Sequence, residues 1–160
     1  MKNSIFILYL SFCLHGCTSQ QKENGTSPIK LINDTILPHT PIENQGQTPT
    51  CWAYTMASMI ESEFLCHHND TIRISTMYAV RQKYMKQFDF YYYSQGKQDI
   101  RAGGLGHSFL NIYNEKGAIP ADIYKGYTPH TKRHDHRKLL KKLKHLAEKA
   151  VNKRDLYTYR

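Results

Sequence analysis

Asn44-Gln45-Gly46-Gln47-Thr48-Pro49-Thr50-Cys51-Trp52-Ala53-Tyr54 is where the chain changes character. Before it lie polar and breaker residues. From Cys51 onward, Trp52, Met56, Met59/Ile60 and Glu63/Phe64 recur at a spacing close to one helical turn. The pattern predicts a helix from Cys51 to Leu65, with Pro49 as breaker and Thr50 as N-cap. Cys51 then stands at a helix N-terminus, where unpaired backbone N–H groups and the positive end of the macrodipole favour a thiolate over a thiol. A Cys51–Cys66 disulfide is the competing reading, but on one helix the two thiols lie about 22 Å apart at ~1.5 Å per residue, beyond disulfide reach. Both are expected free, with Cys66 a small buried hydrophobe.

The same letters resemble the active-site segment of papain-like cysteine peptidases. The resemblance implies that Cys51 is the nucleophile. It also implies that Gln45, six residues earlier, donates its side-chain amide to the developing oxyanion alongside the Cys51 backbone N–H; a donor of this kind contributes about 3 kcal/mol to lowering the barrier. Trp52 matches the Cys-Trp step of the family, and Tyr54 the aromatic after Ala. Further on, Ile74-Ser75-Thr76-Met77 resembles the start of the family's second helix. Gly103-Gly104, followed by Leu105 to Tyr113 and then Gly117-Ala118-Ile119-Pro120 and Tyr124, resembles its substrate-lining stretch. On that likeness Gly103, Gly104 and Trp52 bind substrate. Glycines there let the backbone approach an extended peptide and pair with it; without the Cys51 context they read equally as an ordinary turn. Thr48 replaces a disulfide cysteine of the secreted members, and the aromatic stretch Tyr84 to Tyr93 before Gly-Gly is most like the bleomycin hydrolase and aminopeptidase C branch. The tyrosines themselves read as a half-buried helix face.

Working outward, the chain has 160 residues with 22 Lys and Arg against 13 Asp and Glu, a net charge of +9. That length suits one domain, and a 40% hydrophobic, 12% aromatic composition excludes global disorder. Residues 132–160 hold 11 Lys and Arg against 3 acids, so the basic excess belongs to one segment. The longest apolar run, Ile5 to Leu14, is shorter than the roughly 18 residues of a membrane span. With Met1-Lys2-Asn3 before it, the run reads as a signal peptide over 1–16. Leu14-His15-Gly16-Cys17 resembles the lipobox of bacterial lipoproteins, implying lipidation of Cys17; cleavage without a lipid is the other reading. Residues 17–40 read as a flexible tether and the folded part as beginning near Pro41. The expected location is exported, in the bacterial cell envelope, lipid-anchored to a membrane.

The family pairs its cysteine with a His and an Asn about 130–150 residues downstream, beyond Arg160. His107 follows Gly-Gly, and His67 and His68 close the first helix, none placed to replace that base. His130, His134 and His136 read as histidines outside the dyad or, as the alternative, a metal cluster lacking a clear fourth ligand and opposed by Lys132, Arg133, Arg137 and Lys138. Residues 135–152 read as a basic amphipathic helix with Leu139, Leu143, Leu146 and Ala150 on one stripe, either packed by that stripe or lying on anionic lipid. No nucleic-acid module and no cofactor is indicated.

The expected fold class is therefore mainly α, the left-hand helical half of a papain-like α+β fold without its β-rich half, with apolar surface exposed on the cleft side. The expected function is hydrolysis of peptide substrates by a chain inactive alone, a truncated or split product needing a second chain to supply His and Asn. The alternative is a non-catalytic surface lipoprotein that binds a peptide or an anionic partner.

Overall fold

In a computed structural model of the chain, residue 32 and residues 35–127, 130, 131 and 133–160 are described. The signal peptide, the Cys17 lipidation site and most of the tether lie outside these residues. Five helices follow one another: α1 (Cys51–His68), α2 (Thr76–Tyr93), α3 (Gly106–Lys116), α4 (Arg137–Lys153) and the single turn α5 (Leu156–Tyr159). The chain is mainly helical, as expected; the pairing outside helices consists of two isolated bridges among the described residues, Gln47 with Asp135 and Ile74 with Pro120.

α1 begins at Cys51, as the periodicity predicts, but runs three residues past Leu65. It stops when Asn69 adopts a left-handed conformation and its N–H returns to the Leu65 carbonyl. α2 begins with Ser75 as a true N-cap, its hydroxyl accepting the Tyr78 N–H at 3.1 Å. The helix then carries the tyrosine-rich stretch whole: Tyr84 and Phe88 are buried, whereas Phe90 and Tyr93 face solvent. That division is the half-buried face expected of it.

α2 touches α1, α3 and α4, so it forms the spine of the bundle. On one side Trp52, Ala53 and Ala57 of α1 meet Met77, Val80 and Tyr84 of α2 and Phe109 and Ile112 of α3. On the other, Phe88 and Ile100 meet Ala147 and Ala150 of α4 and Leu156 of α5. Two charged residues hold core positions. Glu61, 4% exposed, accepts from the Thr40 hydroxyl at 2.9 Å and from the Ile74 N–H at 2.7 Å, tying the start of α2 to α1. Thr40, just ahead of Pro41, is buried against α1. Among the described residues no helix is long and apolar enough to cross a membrane.

Candidate active site

Three features leave Cys51 open at the tip of α1. Thr50 occupies the N-cap position, but its side chain does not cap the helix. The reason is local. The Thr48 hydroxyl donates to the Gln45 carbonyl at 2.9 Å and lies 2.5 Å from the Thr50 hydroxyl, so the Thr50 side chain is turned toward Thr48 and away from the helix N–H groups. The Thr50 carbonyl takes the N–H groups of Ala53 and Tyr54, while those of Cys51 and Trp52 find no protein acceptor among the described residues. The Cys51 thiol is free, exposed and without a hydrogen-bond partner among those residues.

The loop before Cys51 is held from far along the chain. Gln47 N–H donates to the His134 carbonyl at 2.8 Å, and Arg137 donates to Gln47 Oε1 at 2.6 Å. Arg137 also clamps Asp135, and that hydrogen-bonded pairing drives the Asp135 pKa below the usual carboxylate range. Gly46 is required here: its φ is +66°, and a Cβ would lie 2.5 Å from the His134 carbonyl oxygen. Gln45 is half-buried, with its side-chain amide unengaged among the described residues.

Beside Cys51 the segment 101–105 is strapped onto α1. Trp52 Nε1 donates to the Ala102 carbonyl at 3.1 Å, and its ring meets Phe109 edge to face at 6.5 Å. Gly104 lies so close to the indole that a Cβ would come within 2.8 Å of ring carbons. Lys83 reaches the strap from α2, donating to the carbonyls of Arg101 and Gly103 with its ammonium 5.2 Å from the centre of the Trp52 ring. Burial pushes the Lys83 pKa down from the ordinary lysine range. Trp52 is itself only 6% exposed, so it acts as the strap's anvil and presents little surface to a ligand. Gly103 is exposed, and a Cβ there would meet nothing. The N–H groups of Gly103 and Gly104 make no hydrogen bond among the described residues, and Leu105 beside them is 66% exposed.

No described histidine is bonded to the Cys51 sulfur. His136 is buried, its Nδ1 3.0 Å from the Tyr84 hydroxyl. His134 packs on Tyr127 and leaves a buried Nδ1 without a partner. Burial lowers the pKa of both imidazoles, and for His136 the neighbouring His134 adds to the shift. Their ring centres are 6.2 Å apart, and no group of three or more His, Cys, Asp or Glu converges for a metal among the described residues. Cys66, expected to be buried, is exposed: the helix continues past it and turns it outward, 4.0 Å from the Pro38 carbonyl. A cleft of about 1020 Å³ is lined by Tyr54, Ser75, Tyr124, Tyr127 and His134 among others, and Cys51 is not in its wall.

The sequence reading missed Lys83, Glu61 and the Gln47–Asp135 pairing. The first two left a signal: Glu61 continues the Ala53–Ala57 spacing, and Lys83 falls on the Ala79–Val80 face, so each is a charge at a core register. No protein-family model matches the chain, and no curated protein matches its sequence.

Proposed function

We propose that this chain is the nucleophile-bearing helical half of a papain-like cysteine peptidase, of the aminopeptidase C type. The observation that carries the reading is the placement of an exposed thiol on the first residue of α1, with two unpaired N–H groups beside it and a glycine strap alongside. In the proposed reaction the Cys51 thiolate attacks a peptide carbonyl, and the oxyanion accepts hydrogen bonds from the Cys51 N–H and the Gln45 amide. Gly103 and Gly104 lend their unpaired N–H groups to the extended substrate. The amine leaves with a proton from an imidazolium, and water then cleaves the thioester. Since no described histidine is bonded to the thiol, the imidazole and its orienting Asn are assigned to a second polypeptide segment docking over the exposed side of the strap.

The test is alkylation by iodoacetamide at pH 6 of the intact chain, followed by peptide mapping. Cys51 should react severalfold faster than Cys66, because its sulfur lies at a helix N-terminus beside unpaired N–H groups. Equal rates, or a faster Cys66, would overturn the assignment.

A second reading, a surface lipoprotein that binds a peptide, is favoured by one observation: a cleft of about 1020 Å³ is walled without Cys51. It requires peptide binding that survives Cys51→Ala and is lost when Tyr124 or Tyr127 is replaced by Ala.

A further inference from the structure

α4 runs Arg-Lys-Leu-Leu-Lys-Lys-Leu-Lys-His-Leu-Ala-Glu-Lys-Ala-Val-Asn-Lys from Arg137 to Lys153. At 100° per residue, Lys138, Lys141, Lys142, Lys149 and Lys153 fall on one face with His145 at its centre. All six are exposed. None of the five lysines is within ion-pairing distance of a carboxylate among the described residues. Lys144 shows the contrast. It lies off this arc and pairs with Asp99 at 2.7 Å.

The apolar stripe of the same helix is already occupied. Ala147 and Ala150 are fully buried, and Leu140, Leu143 and Leu146 pack with them against Phe88 and Ile100. Of the helix's leucines Leu139 alone stays exposed, at 45%, so α4 keeps no continuous apolar face to insert into a bilayer. What remains is a straight row of positive charge about 22 Å long at ~1.5 Å per residue, carried on a rigid, core-packed helix.

We propose that the Lys138–Lys153 face is a docking rail for an anionic phospholipid surface, bound by charge with the helix lying flat and uninserted. Charge complementarity selects a polyanion. The apolar leader and the Cys17 motif select the membrane among polyanions, because both would hold the chain beside a lipid surface, where each lysine near anionic headgroups adds attraction. The rail is independent of Cys51 chemistry and stands or falls separately from it.

The experiment is sedimentation of the full chain with vesicles of phosphatidylcholine alone and of phosphatidylcholine mixed with phosphatidylglycerol. The neutral vesicles register any binding by the apolar leader. The additional binding to anionic vesicles should vanish as salt rises from about 0.1 M to about 1 M, where the screening length contracts from about 10 to about 3 Å. It should fall by at least about tenfold in Lys138→Gln/Lys142→Gln/Lys149→Gln/Lys153→Gln. It should persist in Arg81→Gln/Lys97→Gln/Lys116→Gln/Lys125→Gln, which removes the same charge from scattered exposed sites. If the rail variant loses its helical circular dichroism, Lys142→Gln/Lys149→Gln replaces it. Equal binding to neutral vesicles, indifference to salt, or the same loss in both variants would overturn the rail. So would release from the vesicles by duplex DNA at matched phosphate concentration, which would make the face a nucleic-acid surface.

Discussion

Cys51 and Cys66 share one helix, and both are free and exposed, yet what lies beneath them differs. At the Cys51 end the next side chain, Trp52, is buried under a strap fixed by Gly104, Lys83 and the Ala102 carbonyl, and the preceding loop is pinned to His134 and Arg137. At the Cys66 end, His67 pairs with Glu63 in open solvent, Phe64 stacks on His68, and the Asn69 turn closes the helix by itself. An exposed thiol can be presented in a fixed orientation only where the backbone below it is held by groups that cannot move. The fold concentrates those groups at one end of α1 and leaves the other to local capping.

The sharpest way to break this contrast is Trp52→Ala. It removes the anvil, strands the Ala102 carbonyl and empties a site in the core, and should cost about 3–5 kcal/mol in urea unfolding. A cost below 1 kcal/mol, on the order of a surface change, would mean that the strap does not depend on the indole. Gly104→Ala comes next. The added methyl collides with the indole ring, and a loss of about 1–3 kcal/mol is expected, with Gly103→Ala, which meets open space, as the control.

Acidification should distinguish the two ends without a mutation. His134 and His136 have folded pKa values lowered by burial, so their neutral forms belong to the folded state. The stability they contribute is present above the unfolded value of about 6.5 and is lost as pH falls below it. Between pH 7.5 and 5 the thermal midpoint should fall. Hydrogen exchange, corrected for intrinsic rates, should show protection of the Gln47 amide falling while that of Asn69 holds. Parallel changes at the two amides would erase the distinction. The smallest effect is expected at the far end, where His67→Ala breaks an ion pair that is 68% and 71% exposed and should move stability by less than about 0.5 kcal/mol.

Much of the helical framework was legible because it is local. The Trp52–Met56–Ile60 spacing marks α1, Ser75 marks the start of α2, and the stripe Leu139, Leu143, Leu146 and Ala150 marks α4, found at Arg137–Lys153 against an expected 135–152, although Leu139 is 45% exposed and Leu140 packs in its place. Where the reading failed, the cause lay in tertiary contacts. Cys66 turned out exposed: among the described residues its sulfur meets only the Pro38 carbonyl, at 4.0 Å, an approach set by how the chain leads into α1. The Thr50 hydroxyl was taken by Thr48 in place of the helix. Lys83 and Glu61 stand at core registers, but what satisfies them there comes from distant residues: the Arg101 and Gly103 carbonyls for Lys83, and the Thr40 hydroxyl and Ile74 N–H for Glu61.

The pairing of Gln47 with Asp135 also sets an order of events during synthesis. A contact between residues so distant in the chain closes a large loop, and the entropy of that closure is met only after the helices in between have assembled. While the ribosome is still adding residues ahead of His136, the turn carrying Gln45 has nothing to rest on. The Cys51 thiol therefore leaves the ribosome before the residues that pin the loop ahead of it, and that loop reaches its final register only after His134 and Asp135 have been added.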